Sequence, residues 1–382
     1  MQLSKRLGSL VISDIRAMSR ACDAVPGGIN LGQGICDLPT PPPVAKGAID
    51  AIEQNKVVYT LPEGIAPVRA AVAAKIERHY GLSFDPATEV VTTSGATGGF
   101  AAACLALFDP GDEVILFEPY YGYHLNTVLA LGLKPVLVPT APPEWKVDFA
   151  ALRAAVTPKT RGVVVCTPAN PSGKVWTTEE LDEVAAILEE KDLVAITDEI
   201  YEHILFDDAR HVPLASRKNA RARTVTLSGL SKTFAITGWR LGYLTAPPDA
   251  ARRITVAHDL LYVCAPTPLQ HGVAAGLAMP DSFYSDLTKS YAKKRDILCS
   301  ALADAGLTPY VPRGAYYVLA DVRRLGCATS KAAAMQLLER ARVASVPGTS
   351  FYTGPVGETL TRFCFAKEDD VLEEAARRLR AL

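Results

Sequence analysis

The sequence has no excess of either charge: 40 Lys and Arg stand against 41 Asp and Glu, a formal net charge of −1. Totals this balanced imply neither a basic face for nucleic acid nor a polyanionic tail. Long apolar runs are missing as well. Hydrophobic residues make up 49% of the chain, yet no run approaches the roughly 18 residues that a membrane span needs. The opening stretch MQLSKRLGSLVISDIRAM breaks its apolar residues with charges and shows no secretory h-region. There are 8 cysteines, but no CxxC pair and no Cys/His cluster, so neither zinc nor a disulfide framework is expected. Cys104 and Cys166 sit in apolar runs and read as small core residues. His124 and His203 read as residues that pack beside the motifs below or support their side chains, rather than as metal ligands. Repeats and low-complexity segments are absent. A cytoplasmic globular protein, without nucleic-acid or membrane partners, is the expectation.

What is present is a succession of short β-rich runs: EVVTTS (89–94), EVILFE (113–118), KPVLVP (134–139), GVVVCT (162–167), LVAITD (193–198), TVTLS (224–228) and LGYLTA (241–246). Most are continuously apolar, as befits strands covered on both faces of a largely parallel sheet. Helical candidates lie between them. TGGFAAACLALF (97–108) is apolar nearly all round, and TTEELDEVAAILEEK (177–191) opens with a Thr177/Glu180 capping box. Alternation of strand and helix predicts an α/β domain. After about residue 285, three amphipathic stretches and the strand-like YYVLADV and LTRFCFA predict a smaller α+β domain. The PTPPP run at 39–43 marks the exit of an N-terminal segment. The expected division is 1–45 with the small domain, 46–285 as the large domain and 286–382 as the small C-terminal domain.

Polar signatures follow directly on five of the predicted strands. Gly95, Ala96 and Thr97 follow the first, Tyr120 and Tyr121 the second, Asn170 the fourth. Asp198 ends the fifth, with Tyr201 just beyond, and Ser231 and Lys232 follow the sixth, eight residues before Arg240. Carboxyl ends of parallel strands share one edge, where ligands bind, so these residues should converge. Individually each has an ordinary alternative: a strand-to-helix loop at Gly95, a helix N-cap at Asp198, core aromatics at Tyr121 and Tyr201. Together they form a set. A helix opening at Gly95 offers backbone N–H groups and dipole to a phosphate, and the Arg240 fork suits the same dianion. Asp198 would face a protonated ring nitrogen, Asn170 and Tyr201 a phenolate, and Tyr121 a ring face. With a reactive lysine, these requirements describe pyridoxal 5'-phosphate. For Lys232 to act near neutral pH, its pKa must fall from about 10.4 toward ~7.

The SK…GWRLGY run, with YTLPEG, ANPSG, D-x-x-Y and TRFCFA, resembles the fold-type I, class I/II aminotransferases over essentially the whole chain. The resemblance implies a fold-type I α/β architecture: a large domain with a seven-stranded mostly parallel sheet, plus a smaller α+β domain. It implies Lys232 as the Schiff-base lysine, Ser231 and Arg240 on the phosphate, Ala96 and Thr97 in the phosphate turn and Tyr121 as the stacking aromatic. Asn170, Asp198 and Tyr201 match its remaining ring contacts. Tyr59 resembles the tyrosine that reaches the neighbouring subunit's phosphate, implying a homodimer with shared active sites. Arg362 resembles the clamp for the substrate α-carboxylate, and Gly34 the glycine whose backbone approaches the substrate.

The sequence departs from the family pattern at Gly229, where many relatives carry a hydroxyl, so one phosphate hydrogen bond is expected to be missing. No family-matched arginine for a distal substrate carboxylate is visible, and Val263 and Cys264 fall in a region that helps form the side-chain pocket. The implied activity moves an α-amino group from an amino acid to a 2-oxo acid in ping-pong half-reactions. A C–S β-lyase on cysteine conjugates or cystathionine would use the same lysine and ring carboxylate. More distant readings are a non-catalytic binding protein on the same scaffold, for which 382 residues leave no room for an added DNA-binding domain, and a nucleotide-binding oxidoreductase, disfavoured because no GxGxxG follows a first strand.

Overall fold

The computed structural model describes residues 13–382 together with Met1, Leu7, Gly8 and Leu10. Much of the stretch read for a leader therefore lies outside the described residues. All seven predicted runs form strands: β1 (Val90–Thr93), β2 (Glu113–Glu118), β3 (Lys134–Pro139), β4 (Thr160–Cys166), β5 (Val194–Asp198), β6 (Thr224–Gly229) and β7 (Gly242–Thr245). They build one sheet in the order β1-β7-β6-β5-β4-β2-β3. Every neighbouring pair is parallel except those involving β7, which runs antiparallel to both β1 and β6.

Continuous apolarity in the strands has the expected cause. Successive side chains point to opposite faces, and both faces are covered. On β4, Val163 and Val165 pack with Leu181, Val184 and Leu188 of the helix Thr178–Glu190. Val164, between them, packs on the other face with Phe100 and Cys104 of the helix Gly95–Leu107. The capping box at the first of these helices is formed in both directions: Glu180 N donates to Thr177 Oγ1 (3.2 Å) and Thr177 N to the Glu180 carboxylate (3.1 Å). Cys104 is fully buried, as read. Cys166 is only partly buried, because it ends β4 at the open edge of the sheet.

The C-terminal part forms a four-stranded antiparallel sheet of Val346–Pro347, Leu360–Cys364, Tyr317–Asp321 and Thr308–Tyr310, in that order. The helices Asp281–Asp304, Ser330–Ala341 and Asp369–Arg380 accompany it. The first starts earlier than its amphipathic pattern announces and runs through position 285, where the sequence reading divides the chain. From the N-terminal segment, Ile29–Asn30 pairs in parallel with Val343–Ala344. Leu31 and Cys36 join the same core as Tyr316, Val318 and Phe363. Among the described residues no helix is long and apolar enough to cross a membrane.

Candidate active site

The carboxyl edge of the large sheet opens into a cleft of about 180 Å³. Gly34, Ala96, Thr97, Tyr121, Asn170, Asp198, Tyr201, Ser231, Lys232, Arg240 and Arg362 all line it. Twelve of the thirteen predicted site residues meet at this cleft, counting Gly95, which packs against Arg240 at the turn. Tyr59 does not; it is 82% exposed, away from the cleft of its own chain.

The convergence follows from the strand order. Because β7 is antiparallel, its beginning lies at the edge where β1 and β6 end, and Gly242 pairs with both Thr93 and Gly229. The segment between β6 and β7 therefore carries Ser231, Lys232 and Arg240 along that one edge. Backbones crowd there. A Cβ on Gly242 would come within 2.8 Å of Ala96 N and 2.9 Å of Gly95 C, and one on Gly95 within 2.6 Å of Arg240 Nη2. Gly95 also has φ +71°, a conformation L side chains rarely adopt. Only glycine lets the Arg240 guanidinium lie against the opening of the helix Gly95–Leu107, which is the cradle an anion of phosphate charge requires.

Gly229 has a steric reason. A Cβ there would collide with Ile200 Cδ1, so the hydroxyl expected from the family gives way to packing between β6 and the turn after β5.

Asp198 is buried, and its Oδ2 lies 3.0 Å from His124 Nε2 while Oδ1 accepts from Ile200 N at 3.3 Å. It ends β5 without capping a helix. His124, on the helix Gly122–Ala130, is therefore its fixed neighbour, a pairing invisible in sequence because 74 positions separate the two. Tyr201 Oη donates to Tyr317 Oη at 3.2 Å. Tyr317 is a residue that sequence reasoning missed; its hydroxyl would overlap any Cβ at Gly34. Burial pushes both phenols up, Tyr317 to about 12, so they stay protonated donors at neutral pH.

Lys232 Nζ donates to Gly34 O at 3.2 Å. Burial lowers its pKa to about 8, with Arg240 and Arg362 pushing in the same direction. The shift is smaller than the value near 7 expected from sequence, and burial rather than Arg240 leads it. Arg362 is 1% exposed. Nη1 donates to Asn170 Oδ1 (2.8 Å) and Nη2 to Gly32 O (2.6 Å), while Nε has no partner. Its guanidinium lies 4.2 Å from the Tyr317 ring centroid and 4.8 Å from that of Phe351. A buried, stacked arginine with an unpaired N–H and no acidic neighbour among the described residues is set for a carboxylate ligand.

A polar network lies behind the cleft. Glu202, 5% exposed, accepts from Lys75 Nζ of the helix Ala66–Tyr80, from Tyr80 Oη (2.6 Å), Ser228 Oγ (2.6 Å) and Tyr243 Oη (2.9 Å). It joins the turn carrying Asp198 and Tyr201 to β6, four residues before Lys232.

The model of aminotransferase class I and II matches residues 26–379. The chain is a class I/II aminotransferase. This aminotransferase is 39% identical over 93% of its length, and 92% of the relative's, to a probable N-succinyldiaminopimelate aminotransferase of Mycobacterium tuberculosis. A methionine aminotransferase of Escherichia coli is 32% identical, covering 99% of this chain and 97% of its own. Among solved structures, N-succinyldiaminopimelate aminotransferase from M. tuberculosis superposes with a TM-score of 0.96 at 38% identity, covering 100% of both chains. Aspartate aminotransferase of Thermus thermophilus with maleate gives 0.93 at 32%, covering 100% of this chain and 99% of that one. The aminotransferase transfers amino groups between amino and 2-oxo acids with pyridoxal 5'-phosphate, and its fold is that of fold-type I. The oxidoreductase and non-catalytic readings fall with that membership, and these relatives bear transaminase rather than lyase names.

Proposed function

We propose that the cleft residues carry transamination in the following roles. Gly95, Ala96, Thr97, Ser231 and Arg240 hold the cofactor phosphate. Asp198, fixed by His124, pairs with the ring nitrogen; Asn170 and Tyr201 serve the phenolate, and Tyr121 the ring face. Bound pyridoxal phosphate supplies the electron sink for charge developing at the substrate Cα. Arg362 orients the substrate by forking onto its α-carboxylate, and the Gly34 backbone, whose carbonyl accepts from Lys232 Nζ, approaches it. Lys232 Nζ would take the Cα proton as general base and then, as general acid, give it up at the C4' carbon of the cofactor rather than return it to Cα. The single observation carrying this reading is the junction of Lys232 and Arg240 with the Gly95 turn across β1, β7 and β6.

The functional unit we infer is a cytoplasmic homodimer, with Tyr59 reaching the partner subunit's phosphate. Its 82% exposure and the exposed Val57, Val58 and Leu61 beside it support a covered position in the assembly. A division near residues 45 and 285, letting the two sheets move relative to one another, belongs to the same proposal. Replacing Lys232 with Ala should abolish steady-state transamination. Near-normal turnover by that variant would refute the assignment.

A further inference from the structure

Two aromatic rings flank the Arg362 guanidinium, and they are held in different ways. Tyr317 lies on the strand next to Arg362 and pairs with Cys364, so the small sheet itself places it. Phe351 belongs to no strand; it follows the short 3-10 turn Gly348–Ser350. Beyond packing on Leu319 and Val346, its segment is tied to the large domain by three successive residues. Tyr120 N donates to Phe351 O at 3.0 Å, and the Tyr352 hydroxyl donates to Thr140 O at 3.2 Å. Thr353 donates twice, from N (2.6 Å) and from Oγ1 (2.8 Å), to Glu118 Oε1.

Glu118 ends β2, three residues before Tyr121. It is 5% exposed and has no ion-pair partner among the described residues; Lys174, which lines the same small hollow, is bound to Glu180 at 2.6 Å. A buried carboxylate needs hydrogen bonds, and Thr353 supplies them. Thr353 itself is exposed, so water can replace Glu118 at both of its donors. The junction of β2 with the residue after β3 does not depend on the carboxylate either, since Thr140 N (2.9 Å) and Oγ1 (2.6 Å) donate to the Glu118 backbone carbonyl. What the side chain adds is register between Phe351 and the segment that carries Tyr121.

We propose that Glu118 is a positioning residue for transamination: by holding Thr353 it sets Phe351 against Arg362 and so fixes the guanidinium relative to the Tyr121 platform. The proposal rests on the reading of Arg362 as the α-carboxylate clamp. Hexanoate, a carboxylate without an amino group, reports on that clamp without turnover, and its Kd for the holoenzyme is measured by titration calorimetry. Glu118→Ala should raise the Kd about ten-fold, part of the roughly hundred-fold that a 1 Å misplacement can cost, with the cofactor absorbance unchanged. Glu118→Gln, which keeps an acceptor for Thr353, should restore most of the affinity. Thr353→Val removes one of the two donors at an exposed position and should raise the Kd by about three-fold, a test that stands even where Glu118→Ala fails to fold. KM for L-glutamate and L-methionine should rise together in Glu118→Ala with kcat little changed, as loss of uniform binding requires. In an Arg362→Met background Glu118→Ala should add almost nothing, because the group it positions is gone. Wild-type affinity in both Glu118→Ala and Thr353→Val, or a Glu118→Ala effect that persists undiminished in Arg362→Met, would overturn the positioning role alone. Hexanoate binding as tightly to Arg362→Met as to the wild type would overturn the clamp, and the proposal with it.

Discussion

Removing the Glu202 carboxylate should destabilise the aminotransferase more than removing both charges of its pair. Lys75 is 2% exposed and Glu202 5%, so Glu202→Leu leaves a buried ammonium uncompensated and withdraws the acceptor of Tyr80, Ser228 and Tyr243. Breaking such a pair from one side costs about 3–5 kcal/mol. Lys75→Met costs a comparable amount by stranding the carboxylate. In the double variant Lys75→Met/Glu202→Leu neither charge remains to be desolvated, and its loss should be smaller than the sum of the singles by at least about 2 kcal/mol. Urea denaturation followed by circular dichroism, at fixed protein and cofactor concentrations, measures all three. The pair also has a pH signature. Burial works to raise the Glu202 pKa, but Lys75, His203, His211 and the Lys75 hydrogen bond override it and hold the carboxyl well below 4.5. Its contribution is therefore complete above about pH 4.5 and is lost as pH falls through the lower folded value. Glu202→Leu should flatten that acid limb. Strictly additive losses in the double variant, or an unchanged acid limb, would refute the reasoning.

Reconstitution of the apoenzyme with pyridoxal phosphate needs the neutral amine of Lys232. Since burial brings that pKa to about 8, the bimolecular rate should climb through pH 8 and level off well short of 10.5, as stopped-flow absorbance would show; a rise continuing to pH 10.5 would contradict the burial. Arg362→Lys keeps the charge but loses the fork, and kcat/KM should fall by about 10- to 150-fold, equivalent to roughly 1.5–3 kcal/mol. The loss should be similar for glutamate and methionine, because the α-carboxylate is common to both; a loss confined to glutamate would move Arg362 to the side chain.

The strands of the large sheet were legible because both of its faces are covered, which removes polar residues from GVVVC and LVAIT alike. Direction was not legible. Nothing in LGYLTA distinguishes an antiparallel return from another parallel strand, yet that reversal is what brings Arg240 next to Gly95. Strand-end residues Asp198, Asn170 and Lys232 could be assembled from sequence, since topology alone puts them on one edge. His124 could be read as a residue supporting the motifs but not assigned to Asp198, and Tyr317 could not be read at all, because it enters through packing of a side chain from the other sheet. Arg16, which also lines the cleft, was hidden for a related reason. Its helix is held there by Met18 and Cys22, which pack on Ala334, Leu338 and Ala344 beside the pairing of Ile29–Asn30 with Val343–Ala344, contacts between distant segments with no pattern of their own. The collision between Ile200 and any side chain at Gly229 likewise lies between segments that sequence keeps apart.

The antiparallel return of β7 separates what evolution can change from what it cannot. Lys232 and Arg240 issue from one short reversal leading into β7, which lies between β1 and β6, so an insertion there would shift register on two neighbours at once. Arg16 and Tyr123, which line the cleft away from Lys232, stand on helices outside that reversal. New side-chain preferences can be acquired on those helices while the cofactor anchor remains untouched. One scaffold can thus diversify its amino donors without relearning its chemistry.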